Sequence, residues 1–254
     1  MIRVAILGYG NVGRHLASAI HKANDVALVQ IYNRSEVTLS EQVNTVPFTY
    51  NLSTLLPADV YIIALHDDAI SEFSKAVIVE NALVVHTSGG VPISKLSTRN
   101  KRGVFYPLQT FTKGRMVDFS VIPICIEAES KDDLKLLQKL GRSISEKVVQ
   151  IDSNERAKLH VAAVFVNNFV NHLYHNAEVI LSESKLDFDL LKPLILETAH
   201  KIENLSTSEA QTGPAKRNDR KTIEKHLNLL KDNKNKAIYK LLTKSIQDTY
   251  GKEL

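Results

Sequence analysis

Three glycines at Gly-X-Gly-X-X-Gly spacing, Gly8-Tyr9-Gly10-Asn11-Val12-Gly13, follow directly on an apolar run, Ile2 to Leu7, in which only Arg3 is polar. A helix-like apolar pattern comes next, and a second strand-like run spans Val26 to Ile31. Strand, turn, helix and strand fit one βαβ unit of about 30 residues. Each glycine has a physical reason: a sharp turn off the strand at 8, close approach of backbone to a pyrophosphate at 10, and close packing of helix on strand at 13. The helix N-terminus adds unpaired N–H groups and a positive dipole end. The segment predicts a dinucleotide site built from Gly8, Tyr9, Gly10, Asn11, Val12 and Gly13.

The end of the second strand bears on which dinucleotide. A site for NAD usually carries a carboxylate there to accept from the ribose 2′-hydroxyl, whereas a site for NADP lacks it and has Arg nearby. This chain has Asn33-Arg34-Ser35. Arg34 can pair with a 2′-phosphate through its planar fork, and Asn33 and Ser35 can donate to it without repulsive charge. A solvated Arg after a strand is the alternative. NADP is expected over NAD, with Leu65 and His66, at the end of a later strand, completing the cofactor set.

At 254 residues, 44% hydrophobic and 24% charged, the chain has room for one large domain or two modest ones. Its one cysteine, Cys125, lies in an apolar run, so an intrachain disulfide is ruled out and a buried structural thiol is expected. No leader pattern and no apolar stretch of about 18 residues is present, so a cytoplasmic protein with no membrane partner is expected. Between Lys216 and Lys244 ten basic residues face three acidic ones. Without aromatic platforms these read as solvated helix faces that attract an anionic cofactor or substrate, and no nucleic-acid partner is expected.

Further apolar runs of strand length are Asp59 to Leu65, Ala82 to His86, Val104 to Pro107, Val121 to Glu127 and Lys147 to Ile151, with a brief strand at 46–48. Asp67 or Asp68 is expected to cap a helix running to Val79, and Lys131 to Arg142 reads as another. Ser88-Gly89-Gly90 follows the Ala82 to His86 strand, and two adjacent glycines after a serine permit close approach to a ligand or form a plain turn. Beyond Asp152 the strand-like runs cease. Residues 154–185 hold no Gly or Pro and space their apolar residues helically over on the order of 45 Å, too long for a small domain to cover without a partner chain. More helices are expected at 190–205, 218–230 and 236–250, broken by Gln211-Thr212-Gly213-Pro214 and Asn233. The fold class is α/β, with a Rossmann-type, mostly parallel sheet at 1–151 followed by a smaller all-helical domain at 152–254.

Four segments carry a family resemblance: His86 to Gly90, Tyr106-Pro107-Leu108-Gln109-Thr110-Phe111, His160 to Ala163 with Asn168, and Gln211 to Asp219. On these the chain resembles the superfamily of pyrroline-5-carboxylate reductase and the 6-phosphogluconate and β-hydroxyacid dehydrogenases, in the branch whose helical half is domain of unknown function 2520. The resemblance implies an NAD(P) Rossmann domain, a helical domain that commonly dimerises, and a substrate-holding loop at Ser88, Gly89 and Gly90. It also implies a lysine followed four residues later by asparagine on the long helix. Here Lys158 is followed at that distance by Ala162, so the pair is missing.

The polar line on that helix is instead His160, Val164, Asn167 or Asn168, Asn171 and His175. His160 is the candidate acid and Asn168 the candidate orienting group, against a structural histidine at a domain or dimer contact. His172 and His175 lack an evident third ligand, so no metal is expected. His66 can stack on the cofactor or simply end its strand. Arg217 is expected to pair with an anionic substrate over an interdomain cleft, and Asp219 to cap a helix. The reading is an NADP-dependent oxidoreductase acting on a small carbonyl, imine or alcohol, dimeric through its helical half. A non-catalytic NADP-binding sensor is the alternative.

Overall fold

The computed structural model of the chain describes residues 1–251. They divide into two compact units, the first Met1–Asn167 and the second beginning at Asn168. The first is built on an eight-stranded sheet: β1 (Ile2–Leu7), β2 (Val26–Tyr32), β3 (Phe48–Thr49), β4 (Val60–Ile63), β5 (Leu83–His86), β6 (Lys101–Pro107), β7 (Ile124–Ala128) and β8 (Val148–Gln150), in the order β3-β2-β1-β4-β5-β6-β7-β8. Every neighbouring pair is parallel except β6 and β7. The continuous apolar runs of β4 and β5 are buried along their whole length, as central parallel strands must be when both faces are covered. The strand order reverses between β1 and β4, and ligands bind outside the carboxyl ends of strands at such a point.

Helix α1 (Asn11–Lys22) turns Gly13, Leu16, Ala17 and Ile20 onto the sheet, the three- and four-residue steps of one helix face. Helix α2 (Asp67–Ala76) begins differently from the expectation. His66 occupies the N-cap with extended backbone, while Asp67 and Asp68 stand in the first turn, where carboxylates favour the helix dipole without capping. Helix α3 (Lys131–Arg142) has the expected bounds, and Ser130 caps it by accepting from Asp133 N. The strand expected from Val121 begins only at Ile124, because a turn at 118–122 closed by Ile122 N on Phe119 O precedes it.

The long helical run starts as α4 (Ser153–Ala163), where Asp152 and Glu155 form a reciprocal capping box. It passes through π-helical turns at Val164–Phe169 and continues as α5 (Val170–Ser182). The π turns were not legible as an amphipathic pattern, and they break the three- and four-residue step that placed Asn167 or Asn168 on the polar line with His160. The second unit goes on with α6 (Lys192–Asn204), α7 (Thr207–Ala210), α8 (Arg220–Leu229) and α9 (Asn233–Tyr250). Asp219 caps α8 as expected. Asn233 opens α9 instead of breaking it, because Asp232 supplies the cap to Lys234 N and Asn235 N.

The glycine turn yields a stability test. A Cβ at Gly13 would stand 1.9 Å from the carbonyl oxygen of Gly8, whereas one at Gly10 would meet nothing within 4 Å. Gly13→Ala is expected to lower the melting temperature by several degrees and Gly10→Ala to leave it within about 1 °C. Equal melting points for the two variants in thermal denaturation would refute this account of the turn.

Candidate functional site

Gly8 takes φ +111°, a conformation that glycine adopts without strain, and a side chain there would also strike Ala64 O and Leu65 Cδ2. Leu65 is thereby placed against the glycine turn. Gly10 is the N-cap of α1, with no side chain bonded to the first-turn N–H groups and no acidic residue in that turn. The helix end thus keeps its donors and its positive dipole for an anion. These features fit a dinucleotide pyrophosphate held by Gly8 to Gly13.

The following loop is fastened to this turn. Tyr9 N donates to Asn33 Oδ1 at 3.1 Å, and Asn33 Nδ2 donates to Ser35 O at 2.9 Å. Asn33 therefore acts first as a tie between the two loops, beyond its expected role as a donor to phosphate. The buried Tyr9 ring carries the Arg14 guanidinium 4.4 Å from its centroid, and its hydroxyl accepts from Ser40 N at 3.2 Å. Arg34 and Ser35 stay exposed on the anchored loop, and His66 is exposed at the start of α2. Arg14 was not foreseen, since its position inside an amphipathic helix carries no motif.

A second cluster lies at the carboxyl ends of β5 and β6. Ser88 Oγ accepts from both Gly90 N (3.1 Å) and Val91 N (3.0 Å), and Ser88 N donates to His86 Nδ1 (3.1 Å). The Tyr106 hydroxyl and His160 Nδ1 are 3.2 Å apart. Both residues press on Gly89, where a Cβ would fall 2.6 Å from His160 Nδ1 and 2.8 Å from Tyr106 Cζ. The close approach expected at this glycine pair is therefore made by the chain's own ring at Gly89. Gly90 is the exposed one of the two. Tyr106 was missed as a site residue, although it stands in one of the segments that carry the resemblance.

Beneath His160 lies Arg156, 1% exposed, paired with Glu127 and donating to Val91 O at 2.7 Å and Ser153 Oγ at 3.2 Å. Burial, then the Arg156 charge, pushes the His86 pKa down to about 3. Cys125 is buried and unbridged, and burial pushes its thiol up. Of the other expected site residues, Asn168 lies in the π-helical turns and Arg217 follows the Gly213-Pro214 turn, both exposed and both in the second unit. Among the described residues no three His, Cys, Asp or Glu side chains are grouped to hold a metal, and no helix is long and apolar enough to cross a membrane.

His86 gives the site a pH signature. Its folded pKa lies below the usual value, so its contribution to stability is complete above about pH 6.5 and is lost as the pH falls toward 3, at roughly 1.4 kcal/mol per pH unit. His86→Leu is expected to flatten the slope of unfolding free energy by about one proton across that window. Denaturant titrations at several pH values measure it, and an unchanged slope would contradict the assignment.

The comparisons divide along the same lines as the chain. A family model described as "NADP oxidoreductase coenzyme F420-dependent" matches residues 3–90, and domain of unknown function 2520 matches residues 122–246. Among solved structures, a Bacteroides fragilis protein described as a candidate NADP oxidoreductase is 38% identical, over 97% of this chain and 98% of its own, with a TM-score of 0.89. A Thermotoga maritima protein shares the fold at 21% identity (98% and 99% covered, TM-score 0.76). So does a Plasmodium falciparum pyrroline carboxylate reductase with NADP bound, at 14% identity (98% and 97% covered, TM-score 0.64). No curated protein matches significantly. The chain belongs to the family that joins an NADP-oxidoreductase-type Rossmann half to the helical domain of unknown function 2520.

Proposed function

We propose that this protein is an NADP-dependent oxidoreductase acting on a small carbonyl, imine or alcohol. The observation that carries the reading is a phosphate-ready glycine turn in the same unit as an acid-capable histidine. Gly8 to Gly13 hold the pyrophosphate, Leu65 and His66 border the cofactor, and the loop from Asn33 to Ser35 presents Arg34 to the 2′-phosphate. When bound, the reduced nicotinamide supplies hydride. His160 holds the proton on Nε2 for the substrate oxygen or nitrogen, and Ser88, Gly89 and Gly90 position the substrate. Asn168 serves as orienting group and Arg217 as partner of a substrate anion.

The protein works as a homodimer through its helical unit. Among the described residues of that unit Ala215 is the one buried hydrophobic side chain, while Leu190, Leu194 and Leu241 are each more than 60% exposed. A helical unit of that kind needs a second chain to cover it, and sedimentation is expected to give a dimer, with a monomer overturning this assignment. The buried unbridged Cys125 suits a reducing cytoplasm.

NADPH consumption with a panel of keto acids and cyclic imines tests the chemistry. His160→Ala is expected to lower kcat about 100-fold on the accepted substrate. Arg34→Ala is expected to weaken NADPH binding about 10-fold or more and to leave NADH nearly unchanged. Tight NADPH binding with no turnover on any substrate would replace the oxidoreductase reading with that of a sensor, and equal loss of both dinucleotides would remove the role of Arg34.

A further inference from the structure

We propose that Tyr106 is the positioning residue that keeps a proton on His160 Nε2, and that position 89 is glycine so that this pair can form. The proposal rests on reading His160 as the proton donor. The Tyr106 hydroxyl and His160 Nδ1 stand 3.2 Å apart, and the rings meet edge to face with centroids 6.1 Å apart at 77°. The contact joins β6 to α4 across 54 residues of sequence. Gly89 forms its floor: the three atoms nearest to a Cβ built there are His160 Nδ1 (2.6 Å), His160 Cγ (2.8 Å) and Tyr106 Cζ (2.8 Å). A methyl group at that place would have to displace the two rings.

A phenol can serve either form of the imidazole because it both donates and accepts. Burial pushes the Tyr106 pKa up to about 12, so the phenol stays neutral. Beside neutral His160 it donates to Nδ1, and the ring hydrogen must then sit on Nε2. Beside the imidazolium it accepts from Nδ1–H, and Nε2 again carries a proton. When the imidazolium gives that proton to a substrate oxygen or nitrogen, the Nε2–H bond breaks, its electron pair stays on Nε2, and a substrate O–H or N–H bond forms. The neutral ring left behind holds its proton on Nδ1 until Nε2 takes one from solvent and Nδ1 releases its own, and the phenol then turns its O–H back onto Nδ1. Tyr106 gains and loses no charge in this cycle.

The charged and titratable groups around the pair come from several elements. Asp67 on α2 has its Oδ2 3.5 Å from a Cβ built on Gly90, which is in turn 3.9 Å from His160 Cδ2. Arg156 is four residues before His160 on α4, Cys125 is paired with Tyr106 in the β6–β7 ladder, and His86 ends β5. Within this set the hydroxyl of Tyr106 is the group bonded to the His160 ring.

Nitrogen-15 NMR of the ring nitrogens in the full-length protein tests this without any substrate, with the His160 signals among nine histidines assigned by their loss in His160→Gln. Near pH 8 the wild-type protein is expected to show an unprotonated Nδ1 and a protonated Nε2. Tyr106→Phe keeps the ring and its packing, and is expected to move both shifts toward the average of two exchanging tautomers. Gly89→Ala is expected to do the same by parting the rings. Unchanged His160 shifts in a folded Tyr106→Phe protein would overturn the proposal. Where a substrate is turned over, Tyr106→Phe is expected to lower kcat about 10-fold with KM for NADPH unmoved, and an unchanged kcat would equally overturn it. The expected nitrogen shifts with no turnover on any substrate would leave the pair standing and defeat the oxidoreductase reading.

Discussion

The buried ion pair between Arg156 and Glu127 is the interaction on which the site depends. Arg156 is 1% exposed, and its guanidinium also reaches Val91 O and Ser153 Oγ, so one side chain joins α4 to β7 and to the segment after Gly90. Removing two charges from water costs several kcal/mol per ion, and a good pair does little more than offset that cost. Its value lies in geometry: a helix held one turn below His160 can present that ring to Gly89 in one orientation. Loss of one partner would leave a buried charge unmatched, and the whole β5–α4 junction would be disturbed with it.

A comparable economy governs the cofactor end. Steric exclusion sets the turn, since Gly8 and Gly13 lie too close for a side chain at either place. Polar ties then set the loop, with Asn33 bridging Tyr9 N to Ser35 O and Ser40 bonded to the Tyr9 hydroxyl. Arg34 is thus carried on a short loop with both flanks fastened. The fastening limits the backbone freedom that this segment would otherwise lose on meeting a ligand.

What could be read in advance followed from local pattern. The glycine turn, the buried parallel strands, the bounds of α3 and the Asp219 cap each express themselves within about a dozen residues. What could not be read was long-range or irregular. Tyr106 and His160 meet across 54 residues, and the segment that holds Tyr106 points to a family without showing which ring the tyrosine meets. Arg156 looks like a solvent-facing helix residue until Glu127 is brought to it. The π turns at Val164–Phe169 leave no trace in an apolar pattern, and the choice of His66 over Asp67 as N-cap is a matter of one backbone torsion.

The hydrogen-bond census of the serine loop narrows what this site can hold. Ser88 Oγ already accepts from Gly90 N and Val91 N, and a hydroxyl has two lone pairs. Its remaining capacity is the O–H proton, so a donor is all that Ser88 Oγ can offer a ligand. His160, with Tyr106 on Nδ1, likewise offers an N–H from Nε2. Two side chains flanking Gly89 are therefore both committed to donation, and their complement is a group rich in lone pairs. A carbonyl oxygen, an imine nitrogen or a carboxylate satisfies them, whereas an ammonium group would face like polarity on both sides.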